Sequence, residues 1–502
     1  MTIDQVALVP AYVAAGTAVL ALLVDLVVPG RRGPVMVATA LGMAGVVGAA
    51  IGVGIGGGHR AAFCAGPDQC SLVLDPAAAI VAGVFAGLAL GALALSVPLL
   101  RTGEVPVGEY CFLLACSLTG AVVLGGARDL ITLIVALETL TLPLYLLVGL
   151  RRGATAGGSA AVTFFVVSVV STAVALLGAA LVFTATGGVH FADIAAGYAH
   201  LSSWDGGPGT GGALGASARG ALLRAGVVLL LVGLGFKVAA VPAHAWAPAT
   251  YDGAPLPVAA YLSTASKLGG VVAMLLVGVS AARTVLSTSG LTLAVLAVLS
   301  MTVGNLVALR QRRMVRLLAW SSVAQAGYLL APLGALVAAD SVTPLLVAAV
   351  VGYTFFYVIL EFAAFAAVVA VRGAADGGEI ADYRGLARRR PWLTGVLVLA
   401  LAGLAGLPPG LAGLFAKVAV VRSLLGGDAT WLAVVVAVNA VIGLAYYVRV
   451  GATLFAPPSG DVDVEHVRVP WPVGASVAVA AVIAVLVGFG PELVMRAAAT
   501  FG

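Results

Sequence analysis

The chain has 502 residues, 62% of them hydrophobic and only 9% charged, where a soluble domain carries roughly a quarter charged residues. A mean hydropathy of +1.13, with apolar runs long enough to cross about 30 Å of hydrocarbon at about 1.5 Å per helical residue, excludes a soluble fold. The net charge of +5 does not indicate a nucleic-acid partner, because the arginines sit in short hydrophilic breaks rather than along one amphipathic stripe.

Fourteen apolar runs are predicted, near residues 6–28, 35–56, 77–100, 110–127, 129–150, 161–186, 221–241, 257–279, 290–309, 315–337, 342–371, 392–424, 430–455 and 472–490. The first, from Val6 to Val28, is long enough to span, and no A-x-A site marks it for cleavage, so it reads as a retained helix. Asp25, near its end, is placed at the interface. Cys64 and Cys70 fall in the second connection, around a Gly-Pro turn, and are either bridged or free. Cys111 and Cys116 read as small packing residues, and with no C-x-x-C pair, cluster or zinc ligation is not expected. The polar insertion from Gly187 to Gly220, with its Gly-Gly-Pro-Gly, reads as a flexible loop. The seventh run is followed by Pro242 and the twelfth is broken by Pro408 and Pro409, which remove backbone donors and clash with the preceding turn. Broken helices in a membrane mark buried, hydrated sites. The Gly-rich stretches lack a strand-turn-helix context and read as close helix packing, not phosphate cradles. No linker divides the chain, so residues 1–502 read as a single polytopic, all-α membrane domain.

The charges are sorted. Fifteen arginines (Arg31, Arg32, Arg101, Arg151, Arg152, Arg310, Arg312, Arg313, Arg316, Arg372, Arg384, Arg388, Arg389, Arg390 and Arg468) occupy odd-numbered connections, and four (Arg60, Arg128, Arg219 and Arg283) even-numbered ones. By the positive-inside rule the odd connections are cytoplasmic and both termini face outward. Arg224, Arg422 and Arg449 fall within the runs.

All three lysines of the chain, Lys237, Lys267 and Lys417, also lie inside apolar runs. An ammonium can lose its proton when desolvated, whereas a guanidinium effectively cannot. A charged residue at a helix centre costs about 2.5–3.5 kcal/mol on insertion scales, so each lysine requires a function or a partner. They either carry protons or pair with helix ends and reach to the interface. Glu138, nine residues beyond Asp129 and near mid-span, would find its partner among them, as a switchable gate or as a static pair. Glu361 is a second buried acid, with a relay or a structural role. His244, in the break after Lys237, is either a proton shuttle or a hydrogen-bonded structural residue.

The stretch Gly-Phe-Lys-Val-Ala-Ala-Val-Pro-Ala-His-Ala-Trp-Ala-Pro at 235–248 continues through Tyr-Asp-Gly-Ala-Pro-Leu-Pro to Ser-Lys at 266–267. Glu-Thr-Leu-Thr-Leu-Pro-Leu-Tyr at 138–145, Trp-Ser-Ser-Val-Ala-Gln-Ala-Gly-Tyr at 320–328 and Gly-Leu-Pro-Pro before Lys417 accompany it. In this order, from about residue 110 to 450, these blocks resemble the antiporter-like subunit family of bacterial NADH:quinone oxidoreductase, respiratory complex I, and within it subunit N. The resemblance implies about fourteen transmembrane helices with two inverted five-helix repeats, here 110–280 and 290–455, each with one broken helix. It implies proton translocation coupled to quinone reduction, with Glu138 and Lys237 as the gating pair, Lys267 as the central relay and Lys417 as the outer-channel lysine. It implies no cofactor in this subunit, with NADH, FMN, iron-sulfur clusters and quinone serving the whole complex. It also implies a hetero-oligomer with other membrane subunits and with lipid, in the bacterial inner membrane. Ala249, Gln325 and Glu361 depart from the family's frequent Asp, His and uncharged polar residues, which bears on the wiring of the relay. The alternatives are a subunit of a multi-subunit cation/proton antiporter, which shares the fold, and a membrane scaffold without an ion path, which leaves the intramembrane charges unexplained.

The arginine asymmetry makes a direct prediction. Single cysteines placed beside Arg388–Arg390 and beside Asp205 should react differently with an impermeant reagent applied from outside: the second labels and the first does not. Labelling of the first alone would reverse the topology.

Overall fold

Within hydrocarbon each backbone N–H and C=O must be satisfied inside its own segment, which leaves helix as the form for an apolar run. The computed structural model describes residues 2–56, 58–66, 69–203, 215–281, 285–338, 341–458 and 468–501. Among these, twelve helices are long and apolar enough to cross a membrane. They are α1 (Val9–Val27), α2 (Arg32–Ile55), α3 (Pro76–Leu95, extended by Val97–Thr102), α4 (Val107–Gly125), α5 (Leu130–Gly149), α6 (Thr155–Thr186), α7 (Ala216–Gly235), α8 (Leu256–Val279), α9 (Leu286–Ala308), α11 (Pro344–Arg372), α13 (Thr430–Phe455) and α14 (Trp471–Phe489). Two more crossings complete the fourteen. Met314–Gly334, α10, is enclosed by protein and carries Ser321, Ser322, Gln325 and Tyr328 on buried positions, so it is less apolar than its neighbours. The last, α12, is split into Pro391–Ala405 and Leu411–Gly426.

The helix α7 is discontinuous too, resuming at Trp246–Gly253 after an irregular stretch at 236–245. The break therefore starts before Pro242, and Lys237 lies in non-helical backbone rather than inside an apolar helix. Each break contains a cis X-Pro bond, Val241–Pro242 and Pro408–Pro409. One further expectation is corrected. The 187–220 insertion contains a helix, Phe191–Ser203, against α6 and α7, because Phe191 and Ile194 bury an apolar edge; residues 204–214, including Asp205, lie outside the described residues, as does Arg283. The all-α fold also carries one small β element. Three short antiparallel strands, β1 (Thr2–Ile3), β2 (Arg60–Cys64) and β3 (Cys70–Leu74), form a small sheet in which Cys64 faces Cys70 and is joined to it by a disulfide.

The connections segregate by parity. The sheet joins the N-terminus to the second connection; Leu72 bridges Ala127 of the fourth, and Asp129 bridges His190 of the sixth. On the opposite side Arg32 donates to the Leu100 and Arg101 carbonyls, Arg151 pairs with Glu104 at 2.7 Å, and Arg384 donates to the Pro457 carbonyl. Arg313 pairs there with Asp252 at 2.9 Å and with Asp376 at 3.0 Å. This hydrogen bond from Arg313, helped by Arg372, holds the Asp376 carboxyl below the usual carboxylate range. Arg449 also belongs to this side: it is exposed and donates to the Leu309 and Gln311 carbonyls beyond the end of α9, so it is not an intramembrane charge.

The spans α8, α10 and α11 are the most enclosed. Around them, helices approach closely where glycine permits. A Cβ on Gly178 of α6 would lie 2.5 Å from the Leu230 backbone nitrogen of α7, and one on Gly233 would lie 2.7 Å from that of Ala175, so these two helices meet backbone to backbone.

Candidate functional site: a buried line of lysines

Three discontinuities in regular helix place the three lysines. Leaving α7 after Gly235, the chain turns through Ala239 at φ +56° and is tied back by an Ala240 N–H bond to the Gly235 carbonyl. The Val241 N–H is satisfied by the Ser300 hydroxyl and the Phe236 carbonyl by the Trp246 indole, so the broken backbone is not left with orphan polar groups. Lys237 is thereby aimed at α5. Its Nζ donates to Glu138 Oε1 and to Thr141 Oγ1, each at 2.8 Å, and Glu138 Oε1 also accepts from Thr172 at 2.8 Å. The lysine is buried, while the Glu138 side chain remains 30% exposed on the lateral face of the bundle. The sequence-predicted pair is therefore formed, in the charge-assisted geometry that is strongest out of water.

Lys267 follows a π-helical turn, Leu262–Ser266, in α8. Such single-turn insertions recur at functional sites. The segments that carry the two lysines are tied together by Ser266, the neighbour of Lys267, whose Oγ donates to the Lys237 carbonyl at 3.2 Å. The Lys267 ammonium donates to the Ser322 carbonyl of α10 and lies 5.6 Å from the Tyr357 ring of α11. Tyr357 in turn donates to the Ser263 carbonyl at 2.8 Å and shares a 2.8 Å bond with the Ser322 hydroxyl.

Lys417 follows the break in α12. Its Nζ donates to the carbonyls of Leu404 at 3.1 Å and Ala405 at 2.6 Å, the last two residues of the first half-helix. Those carbonyls have no helical partner and carry the negative end of the helix dipole, so the cation is bound without a carboxylate among the described residues. Tyr328 offers its ring 5.2 Å from the same ammonium. Lys417 also borders a lateral groove of about 630 Å³ that Leu414, Val418, Arg422 and Val441 help to line.

Between Lys267 and Lys417 the contacts continue. Gln325 donates to the Leu404 carbonyl that Lys417 uses and to the Tyr447 hydroxyl, each at 3.1 Å, and its own carbonyl accepts from Tyr353 at 2.6 Å. Tyr447 also bonds Ser321, the neighbour of Ser322. Behind them Asn305 links Tyr328, Tyr446 and Asn439. The charged members of this system stand out in the sequence; the Ser322 and Leu404 carbonyls carry no signature of residue type, and Tyr353 and Tyr357 have no signal beyond their four-residue spacing with Glu361. Glu361 lies on α11 fully buried, and among the described residues neither of its oxygens has a hydrogen-bond partner. His244 is not drawn into the line: its Nδ1 lies 3.2 Å from the Pro242 carbonyl and its ring packs on Trp320.

Residues 127–443 match the family described as NADH:quinone oxidoreductase/Mrp antiporter, transmembrane. The chain is 58% identical to NADH-quinone oxidoreductase subunit N of Salinispora tropica over 99% of both chains. It belongs to the subunit N family of the antiporter-like membrane proteins. Among solved structures, a chain of respiratory complex I from Thermus thermophilus is 30% identical, with a TM-score of 0.74 over 97% of this chain and 98% of its own. A chain of the Mrp complex from Dietzia superposes with a TM-score of 0.82 over 99% of this chain and 97% of its own at 19% identity, which shows the fold. The Mrp-type chain and the family thus share one scaffold.

The bridge between the lysines generates a stability prediction. Gln325→Leu removes the acceptor of the Tyr353 hydroxyl and a donor to Tyr447, and should cost about 1–3 kcal/mol for each buried polar group left unpaired. Thermal unfolding of the subunit in the detergent-solubilised assembly should show a lowered midpoint; an unchanged midpoint would mean that Gln325 contributes no net stabilisation.

Proposed function

We propose that this chain is a proton-translocating, non-redox membrane subunit of an NADH:quinone oxidoreductase, acting beside other membrane subunits in a bacterial inner membrane. NADH, FMN, iron-sulfur clusters and quinone are assigned to the rest of that assembly. The carrying observation is the line of contacts from Glu138 through Lys237, Lys267 and the Ser322–Gln325 bridge to Lys417. The arginine distribution supports cytoplasmic odd connections and outward termini. The halves 110–280 and 290–455 act as repeats: each contributes five crossings of which the fourth is broken, and since five is odd the second begins on the opposite side from the first, an inverted pair.

In this reading the ion pair with Glu138 keeps the proton on Lys237, and separation of the pair releases it toward Lys267. From there it passes to Lys417, whose groove leads laterally out of the bundle. His244 stands outside this line. The shared family description leaves room for a cation/proton antiporter subunit, and flavin and iron-sulfur clusters in the purified native assembly decide for the oxidoreductase.

Lys267→Arg keeps the charge but holds its proton permanently. In membranes with the assembled complex, NADH-driven proton uptake should fall about tenfold or more in this variant and in Glu138→Gln, with subunit content unchanged. Proton uptake and quinone reductase activity are measured together. Normal pumping by assembled Lys267→Arg would return this lysine to a structural role.

A further inference from the structure

The first half of α12 ends so as to leave two backbone acceptors to side chains. Gly406 takes φ +83°, a left-handed conformation that closes the helix. Its N–H bonds the Gly403 carbonyl at 2.9 Å, and the Leu407 N–H bonds the Ala402 carbonyl at 2.8 Å. Of the last four carbonyls, those of Leu404 and Ala405 are then without a backbone donor among the described residues. Lys417 donates to both, but the two are not alike. Ala405 accepts from Lys417, whereas Leu404 accepts from Lys417 and from the Gln325 amide of α10, each at 3.1 Å.

The Gln325 amide is held in one orientation. The residue is buried, its nitrogen donates to the Leu404 carbonyl and the Tyr447 hydroxyl, and its oxygen accepts from Tyr353 at 2.6 Å. A flipped amide would set its oxygen against the Leu404 carbonyl, two acceptors face to face. Helices α10, α11 and α13 thus hold an N–H donor against the end of the first half of α12. An amide neither gains nor loses a proton near neutrality, so this donor stays in place whatever charge Lys417 carries. Of the other helices packed against the second half of α12, α14 and the first half of α12 carry no titratable residue. The α10 helix presents Tyr328 to the ammonium, α11 and α13 present Tyr353 and Tyr447 to Gln325, and Arg422 lies five residues further along the helix of Lys417 itself.

We propose that Gln325 is a positioning residue for Lys417: its fixed amide keeps the Leu404 carbonyl bonded and in place in both protonation states of the lysine. A relay lysine must pass between ammonium and amine, and an ammonium is a far stronger donor to a carbonyl than an amine. A buried carbonyl that loses its donor is costly. With Gln325 present, proton loss from Lys417 weakens the bonding of one carbonyl, that of Ala405, while Leu404 keeps a donor. Without it, both carbonyls depend on the ammonium, and the lysine is held in its charged form. Gln325 keeps both of its amide hydrogens throughout and carries no transferred proton. The inference rests on the relay reading above, and one experiment separates the two.

In native membranes containing the assembled complex, NADH-driven proton uptake would be measured across pH for Gln325→Met, Asn439→Leu and Lys267→Arg, with thermal midpoints of the solubilised complexes. Methionine keeps the length of the side chain without its N–H. Asn439 is a buried residue whose side chain bonds Asn305, Thr302 and Val435, so its loss lowers stability without touching the Leu404 carbonyl. We expect uptake in Gln325→Met to fall about tenfold, and its pH profile to move about half a unit or more to the alkaline side, where the retained proton is again released. Asn439→Leu should keep the parent profile despite a lowered midpoint. Parent uptake and profile in Gln325→Met, with Lys267→Arg impaired, would overturn the role of Gln325 and leave the relay standing. A fall in uptake that tracks the midpoint in Gln325→Met and Asn439→Leu alike, with the profile unmoved, would make Gln325 a structural residue and overturn the role equally. Normal uptake in Lys267→Arg would overturn the relay and this inference with it. Should Gln325→Met not assemble, Gln325→Asn, which draws the amide back by one methylene, takes its place with the same outcomes.

Discussion

The interior of this molecule is organised around the cost of holding charge away from water. A cation carried into hydrocarbon must find compensation within reach, and the two ends of the lysine line find it by different means. Lys237 uses a carboxylate, itself held by Thr172, and the Thr141 hydroxyl. Lys417 uses backbone carbonyls exposed by ending one half-helix early. In both cases a helix has been interrupted, with a proline pair or a proline-containing loop making the interruption, and the remaining backbone groups have been satisfied by side chains such as Ser300 and Trp246. The discontinuities are therefore what allow the polar line to exist, and the surrounding apolar helices separate it from lipid.

The difference between the two ends has chemical meaning. A carboxylate can move away from its lysine, because Glu138 is held by Lys237 and Thr172 and is partly exposed on the side of the bundle. Carbonyls fixed in a helix terminus cannot do so. The first site is therefore adjustable and the second is constant, a polarity consistent with a gate at one end and an exit at the other.

Much of the architecture was legible in residue types. Runs of about twenty apolar residues have one reading in a membrane, and the parity of the arginines agrees with the contacts that gather the odd connections on one face. Lys237, Lys267, Lys417 and Glu138 stood out because charge is rare in such runs. What stayed hidden had physical reasons. The small sheet depends on residues far apart in the chain, and β1 is only two residues long. The helix Phe191–Ser203 is too polar to resemble a span and too Ala- and Ser-rich to contrast with a loop. Arg449 sits in an apolar run yet reaches the end of α9, because a long side chain near a helix terminus can find the interface. The carbonyls of Ser322 and Leu404 belong to the backbone, which is the same for every sequence.

The π-helical turn at Leu262–Ser266 accommodates one extra residue in a single turn of α8. Each residue of a regular helix advances the side-chain direction by about 100°, so that extra residue rotates everything after it by roughly that angle relative to the segment before. The upstream part of α8 can thus present Tyr261 toward α4, where Ser117 meets its hydroxyl, while Lys267 points to α10 and Gly270 meets the backbone of Lys237. A single span thereby addresses three neighbours whose directions one uninterrupted helical phase could not serve together. A homologue lacking one residue in this turn would keep its hydrophobicity and its length of crossing but carry its central lysine on a different face, so alignments of this segment are informative to the single residue.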